Sequence, residues 1–234
     1  MASVIGLIGG MSLESTAEYY RLFNELTRDR LGGLHSCELV LHSVDFAGIE
    51  QMQASGDWDA AGARLASVAA GLERAGADLL VLCTNTMHKV APAIEAAVSV
   101  PLLHLGDATA AAILRAGLDT VGLLGTAFTM EQAFYRDRLA SHGLTVLAPS
   151  EDDRALVHRV IYEELCLGVV REESRNAYLE VIWRLRDAGA QGVVLGCTEI
   201  ELLVRQEDVD VPVFPTTRIH VEAALDQVVV TPQG

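Results

Sequence analysis

Short apolar runs alternate with longer amphipathic stretches along this chain. Runs bounded by Gly or Asp predict strands near 3–8, 37–44, 78–82, 101–104, 120–124, 144–147, 192–196 and 212–214. Between them, apolar residues recur at helical spacing and predict helices near 13–30, 57–75, 86–97, 107–116, 130–141, 151–166, 171–188 and 217–229. Ala75-Gly76 and Ala188-Gly189 supply stop signals, because the left-handed position past a helix end favours glycine. The acidic run Glu151-Asp152-Asp153 reads as a solvated helix start. Strand and helix in alternation predict an α/β architecture, a mostly parallel sheet flanked by helices.

The pattern also repeats. Val4-Ile5-Gly6-Leu7-Ile8-Gly9-Gly10 matches Val121-Gly122-Leu123-Leu124-Gly125-Thr126, and Gly6 lies 116 residues from Gly122. Cys83 lies 114 residues from Cys197, and Pro101 of Val100-Pro101-Leu102-Leu103 lies 111 from Pro212 of Val211-Pro212-Val213-Phe214. Three landmarks in one order at nearly constant offset predict a duplicated α/β unit of roughly 110 residues, a common domain size.

Composition narrows the partners. The chain has 234 residues, half of them apolar, which suffices for a real core. No run approaches the roughly 20 apolar residues of a membrane span, so no membrane partner is expected. The first residues lack the basic region and cleavage pattern of a secretory signal, so Val4 to Ile8 reads as a first strand and the expected location is cytoplasmic. The net charge of −15 argues against nucleic acid, whose phosphates need clustered Lys and Arg.

The four cysteines, Cys37, Cys83, Cys166 and Cys197, form no close-spaced framework, and reduced thiols are expected. No C-x-x-C or paired-His spacing points to a metal. Lys89 is the only lysine, which leaves one candidate for a pyridoxal-phosphate Schiff base and favours chemistry without a cofactor. Gly6-Leu7-Ile8-Gly9-Gly10 is not a G-x-G-x-x-G fingerprint, and no Walker lysine follows. It reads as a tight strand-to-helix turn, or as a backbone-amide loop that holds a carboxylate with Met11 and Ser12 at its lip; Thr126 is its equivalent in the second half.

Leu82-Cys83-Thr84-Asn85-Thr86-Met87-His88-Lys89 has a shorter echo in Leu195-Gly196-Cys197-Thr198-Glu199-Ile200. Each follows an apolar run and precedes a helix-like stretch. A helix N-terminus stabilises an anion, so each thiol is expected to have a lowered pKa. Cys37, inside an apolar run, reads as a small buried hydrophobe. Two reactive thiols in corresponding places suit proton exchange at one carbon. A thiolate on one face removes the proton, and a thiol on the other face returns one.

Further matches span nearly the whole chain. They are Gly9-Gly10-Met11-Ser12-x-Glu14-Ser15-Thr16 with Tyr19-Tyr20, His42-Ser43-Val44-Asp45-Phe46, Leu82 through Lys89, and Leu124-Gly125-Thr126 with Thr129-Met130-Glu131. Glu164-Leu165-Cys166-Leu167-Gly168 and Gly196-Cys197-Thr198-Glu199-Ile200 complete them. In these residues the chain resembles the aspartate/glutamate racemase superfamily, and most closely its bacterial broad-specificity amino-acid racemase branch. The resemblance implies two similar α/β domains related by a pseudo-twofold axis, with the active site in the interdomain cleft. The expected division is 1–103 plus 213–234 for the first domain and 104–212 for the second. It also implies an amino-acid substrate, no cofactor and commonly a homodimer.

Carried over by position, Cys83 and Cys197 are the acid/base pair of an amino-acid racemase. Thr84, Asn85, Thr86 and Thr198 would hydrogen-bond the substrate carboxylate and amino group. Met11, Gln53 and Thr126 would line the cleft, and Glu199 could orient an ammonium group. By the glutamate-racemase pattern, Cys83 would act on the D-enantiomer and Cys197 on the L-enantiomer. Aspartate-specific relatives carry a lysine where Cys166 stands and an arginine in the loop matching 44–53. Neither cation is present here, which favours neutral or varied side chains. His88 and His104 read as structural or as partners of the site residues. Maleate or hydantoin isomerisation on the same scaffold is an alternative, as is a non-catalytic amino-acid sensor.

Overall fold

The computed structural model describes residues 3–228, which fall into two units. One unit runs up to His104 and resumes at His220; the other is Leu105–Ile219. The first contains β1 (Ile5–Gly9), α1 (Leu13–Leu31), β2 (Leu39–Ser43), α2 (Phe46–Ser55), α3 (Trp58–Arg74), β3 (Leu79–Leu82), α4 (Ala91–Glu95) and β4 (Leu102–Leu103). The second contains α5 (Leu105–Arg115), β5 (Thr120–Gly125), α6 (Ala127–Glu131), α7 (Ala133–Ala140), β6 (Thr145–Leu147), α8 (Glu151–Glu163), α9 (Glu172–Asp187), β7 (Gly192–Gly196) and β8 (Val213–Pro215). Helix α10 (Thr216–Val228) begins in the second unit and continues into the first. Residue 229, the expected end of this helix, and the tail beyond it lie outside the described residues.

Each unit holds a four-stranded parallel sheet. The orders, β2-β1-β3-β4 and β6-β5-β7-β8, are the same topology twice. The central strands β1, β3, β5 and β7 are almost wholly buried, whereas β2, β4 and β6 are partly exposed. This follows from their continuous apolar runs, which only a sheet covered on both faces can bury. Parallel register sets Ile5 beside Leu79 and Leu7 beside Val81, and all four pack under α1 and α10 against Tyr19, Phe23, Val221 and Leu225. Ile8 and Leu82, on the opposite face, meet Leu65, Val68 and Leu72 of α3. In the second unit, Val121 and Leu123 pack with Tyr135 and Leu139 of α7, while Leu124, Val193 and Leu195 meet α8 and α9. Each such buried aliphatic side chain stabilises the fold by about 1.5–3 kcal/mol.

Glycines end helices where the patterning places them. Gly76 and Gly189 have φ of +96° and +105°, in the left-handed region. Ser150 caps α8, and Glu151, Asp152 and Asp153 occupy its first turn. Local differences separate the structure from the sequence reading: His104, assigned to the second domain, lies in the first unit, and the helix expected over 130–141 is split into α6 and α7. Residues 44–53, read as a loop, contain most of α2, which Asp45 caps through the Ala47 N–H at 3.3 Å. The helix expected over 86–97 is a 3₁₀ turn, Thr86–Val90, followed by the short α4. Residues 213–219, assigned from sequence to the first domain, fall in the second unit, because β8 pairs with β7 and Thr216 donates to the Leu195 carbonyl at 2.8 Å.

Candidate active site

In the first unit the site residues gather at the carboxyl ends of β1 and β3, where open α/β sheets place their ligands. Gly10, with φ of +92°, turns the chain between β1 and α1; an added Cβ there would stand 2.3 Å from the Val44 carbonyl oxygen. Ser12 caps α1 by accepting from the Ser15 N–H at 3.2 Å. The Gly10 N–H donates to Thr16 Oγ1 at 2.7 Å, so this amide is already engaged within the turn. That favours the structural reading of the glycine run over a carboxylate-binding loop. Met11 is buried among Ile8, Val44 and Ile49.

Cys83 follows β3 directly. Its N–H donates to the Ile8 carbonyl at 2.9 Å, and its own carbonyl accepts from Ser15 Oγ at 2.9 Å. The Thr84 N–H returns to Leu82 at 2.9 Å, and the Thr84 carbonyl accepts from His88 Nδ1 at 2.7 Å. Thr84, Asn85 and Thr86 are all buried beside it. Gln53 reaches the same region from α2, with Nε2 donating to Met87 Sδ at 2.9 Å. Its Oε1 is buried and has no hydrogen-bond partner among the described residues, an acceptor suited to a ligand N–H.

In the second unit β5 and β7 end side by side, Gly125 beside Gly196, and deliver Thr126 and Cys197 to the same end of the sheet. Thr126 caps α6 by accepting from the Thr129 N–H at 3.3 Å. The Ala127 N–H donates to His158 Nδ1 at 3.1 Å, so that nitrogen carries no proton, and burial lowers the pKa of this histidine. Cys197 Sγ donates to Glu199 Oε2 at 2.9 Å, and Thr198 Oγ1 donates to the same oxygen at 2.7 Å. Cys166 Sγ lies 3.8 Å from the other oxygen, Oε1. One buried carboxylate thus holds two thiols and a hydroxyl. Cys166, at the position where aspartate-specific relatives carry a lysine, belongs to this cluster because the chain leaves α8 and turns through the 3₁₀ segment Leu165–Leu167.

Two expectations about the thiols are overturned. Their pKa values are raised rather than lowered. Cys83 has no exposed surface, and burial pushes its thiol far above the ordinary range. Cys197 is pushed up by burial first, then by the charge of Glu199 and by Cys166. The segments that follow the thiols are five-residue 3₁₀ turns, Thr86–Val90 and Thr198–Leu202, too short for a large macrodipole. The constant offset also conceals a one-residue slip. Cys83 continues the face of Leu79 and Val81, shared with Ile5 and Leu7. Cys197 continues the face of Val193 and Leu195, shared with Leu124, whereas Val121 and Leu123, the matches of Ile5 and Leu7, pack on the other face. The thiols therefore leave opposite faces of equivalent sheets, which helps explain why Cys197 is half-buried and Cys83 sealed.

The remaining candidates fall outside this chemistry. Cys37 is half-buried with its pKa raised to about 11 by burial. Lys89 Nζ sits 3.7 Å from the centroid of the Trp58 ring, a cation–π contact. Among the described residues, no group of three or more His, Cys, Asp or Glu side chains is placed to hold a metal ion, and no helix is long and apolar enough to cross a membrane.

Known proteins resemble this chain in sequence and fold. A Yersinia pestis crystal structure, provisionally named an Asp/Glu racemase, is 55% identical with a TM-score of 0.91, covering 97% of this chain and 100% of that one. An aspartate racemase homologue from Pyrococcus horikoshii OT3 is 35% identical with a TM-score of 0.86, covering 97% and 99%. The broad specificity amino-acid racemase RacX of Bacillus subtilis (strain 168) is 21% identical over 220 residues, 92% of this chain and 93% of that protein. The profile of the Asp/Glu/hydantoin racemases matches residues 8–224. With that match spanning both sheets and both thiols, the chain belongs to the Asp/Glu/hydantoin racemase family.

Proposed function

We propose that this protein interconverts the enantiomers of amino acids by cofactor-independent exchange of the α-proton between Cys83 and Cys197. The observation that carries this reading is the repeated placement of a Cys-Thr pair at the carboxyl end of the equivalent strands β3 and β7, in a chain of racemase lineage. The Cα–H bond breaks toward one thiolate, and the other thiol delivers its proton to the opposite face of the carbon. The sulfurs exchange protonation states in each turnover, so the pair titrates as one coupled unit.

The surrounding groups have complementary work. Thr84, Asn85, Thr86 and Thr198 hydrogen-bond the substrate α-carboxylate and amino group, stabilising charge as the carbon acidifies. Met11 and Thr126 shape the site. Gln53 Oε1 and the Glu199 carboxylate accept from the ammonium group. That cation offsets the burial that holds both thiols protonated in the free protein, and at Cys197 the Glu199 charge as well, so thiolate forms once substrate is bound. Cys83 has no exposed surface, so substrate entry requires a rearrangement of the groups that cover it.

Cys166 stands where a cation would recognise a side-chain carboxylate, and α2 has no basic residue. Broad specificity, over neutral or varied side chains, is the expected range, with Asp/Glu as the alternative. The D-enantiomer is assigned to Cys83 and the L-enantiomer to Cys197. A cytoplasmic homodimer is the proposed setting.

The test is a chiral screen of the common amino acids in D₂O, each offered in both configurations. The proposal requires the opposite enantiomer to appear with deuterium at its α-carbon. Binding without wash-in would favour a sensor, and turnover of maleate or hydantoins alone would favour a different isomerase of this family.

A further inference from the structure

The Cys83 loop is tied to a cluster of histidines that the proton-exchange scheme does not use. All four backbone polar groups of Cys83 and Thr84 are engaged. Two bonds, Cys83 N–H to Ile8 and Thr84 N–H to Leu82, are backbone bonds within the first sheet and its turn. The other two depend on side chains, Ser15 on the Cys83 carbonyl and His88 on the Thr84 carbonyl. A carbonyl can only accept, so His88 Nδ1 carries a proton. Its ring lies 4.6 Å from that of His104 and 5.8 Å from that of His220, edge-on to both.

His220 is itself fixed. Nε2 donates to the Leu103 carbonyl at 2.9 Å, which leaves Nδ1 to accept from the Tyr19 hydroxyl at 2.9 Å. His104 and His220 are also the residues at which the first unit hands the chain to the second and takes it back. Both crossings therefore bear on one imidazole, and that imidazole holds the peptide next to the thiol.

We infer that His88 is a positioning residue for Cys83, holding the Thr84 carbonyl while His104 and His220 hold its ring at the two chain crossings. This rests on the two-thiol reading, and the experiment separates the two claims. In an asparagine, Nδ2 stands where imidazole Nδ1 does, so His88→Asn keeps the donor; His88→Leu removes it. The probes are L- and D-β-chloroalanine, which need only one base. The α-proton passes to sulfur, its electron pair forms the Cα–Cβ double bond, and chloride leaves with the C–Cl pair. Water then hydrolyses the aminoacrylate to pyruvate and ammonia, and pyruvate is measured.

In His88→Leu the kcat for the enantiomer served by Cys83 should fall about tenfold further than that for the other, as expected for a displaced reacting group. His88→Asn should restore the ratio to within about threefold of wild type. If wild type turns over both enantiomers and His88→Leu lowers both alike or neither, the positioning role is wrong and the two-thiol reading stands. If wild type turns over neither, the reading falls and this inference with it.

Discussion

A single carboxylate organises the better-exposed half of the site. Glu199 accepts from Cys197 and Thr198 through one oxygen and faces Cys166 with the other. Its charge adds to burial in holding Cys197 protonated. In Glu199→Gln the like charge is gone, so the Cys197 thiolate becomes easier to form. The rising limb of the kcat/KM profile for the enantiomer served by Cys197 should move to lower pH. The kcat should fall about tenfold, because the thiol and Thr198 lose their common anchor. A limb that stays in place, measured by chiral chromatography between pH 6 and 10, would contradict this role. The sequence displayed Cys83, Thr84, Cys197 and Thr198 through their repeated spacing. It did not display the contact of Cys166 with Glu199, because 33 residues separate them and the contact exists only after folding. Nor did it display the raised pKa values, since burial depends on what α1 and α10 place over Cys83.

Among the elements, the turn from β1 into α1 separates two costs of a glycine substitution. Gly56 has φ of +74° with open space around it, whereas Gly10 has φ of +92° with Val44 oxygen 2.3 Å from where a Cβ would stand. Gly56→Ala should cost about 1 kcal/mol from backbone strain alone. Gly10→Ala adds a collision with backbone that cannot move without dislodging β2, and should cost about 3 kcal/mol or more. Urea unfolding measures both, and equal midpoints would show that the turn is less tightly packed than described. All eight strands among the described residues were legible: the central four are continuous apolar runs, and the others are short apolar runs set off by Gly, Pro or polar residues. Helix α2 was not: its ten residues, Phe46–Ser55, carry a weak apolar stripe with only Ile49 and Gln53 buried. The short 3₁₀ turns after the thiols were read as helix because one turn of either has the same sequence signature.

For the whole molecule, buried titratable groups set the pH range of stability. His220 has its pKa lowered from 6.5 to about 3 by burial and by the neighbouring His88. The unfolded chain binds that proton first, so this contribution is complete above pH 6.5 and is lost as pH falls toward 3. Cys37 is raised from 9.0 to about 11 by burial, and Cys83 and Cys197 are raised as well. There the folded state holds its protons longer, so stability is complete below pH 9 and declines above it. Urea midpoints should form a plateau between those limits, with each limb worth a few kcal/mol at most. His220→Asn, though less stable at pH 7, should show a flatter acid limb; an unchanged slope would reject the assignment. The duplication was legible across the whole chain, but the one-residue slip between Cys83 and Cys197 was not, because pairing register is set by the sheets.

The central claim is that two thiols share one proton transfer, and racemisation by single-cysteine variants measures it most directly. Cys83→Ser and Cys197→Ser should each lose at least about a hundredfold in interconversion of the best substrate, because a hydroxyl cannot replace the thiolate base. Each should keep wild-type circular dichroism. Full racemisation by either folded variant would contradict the account.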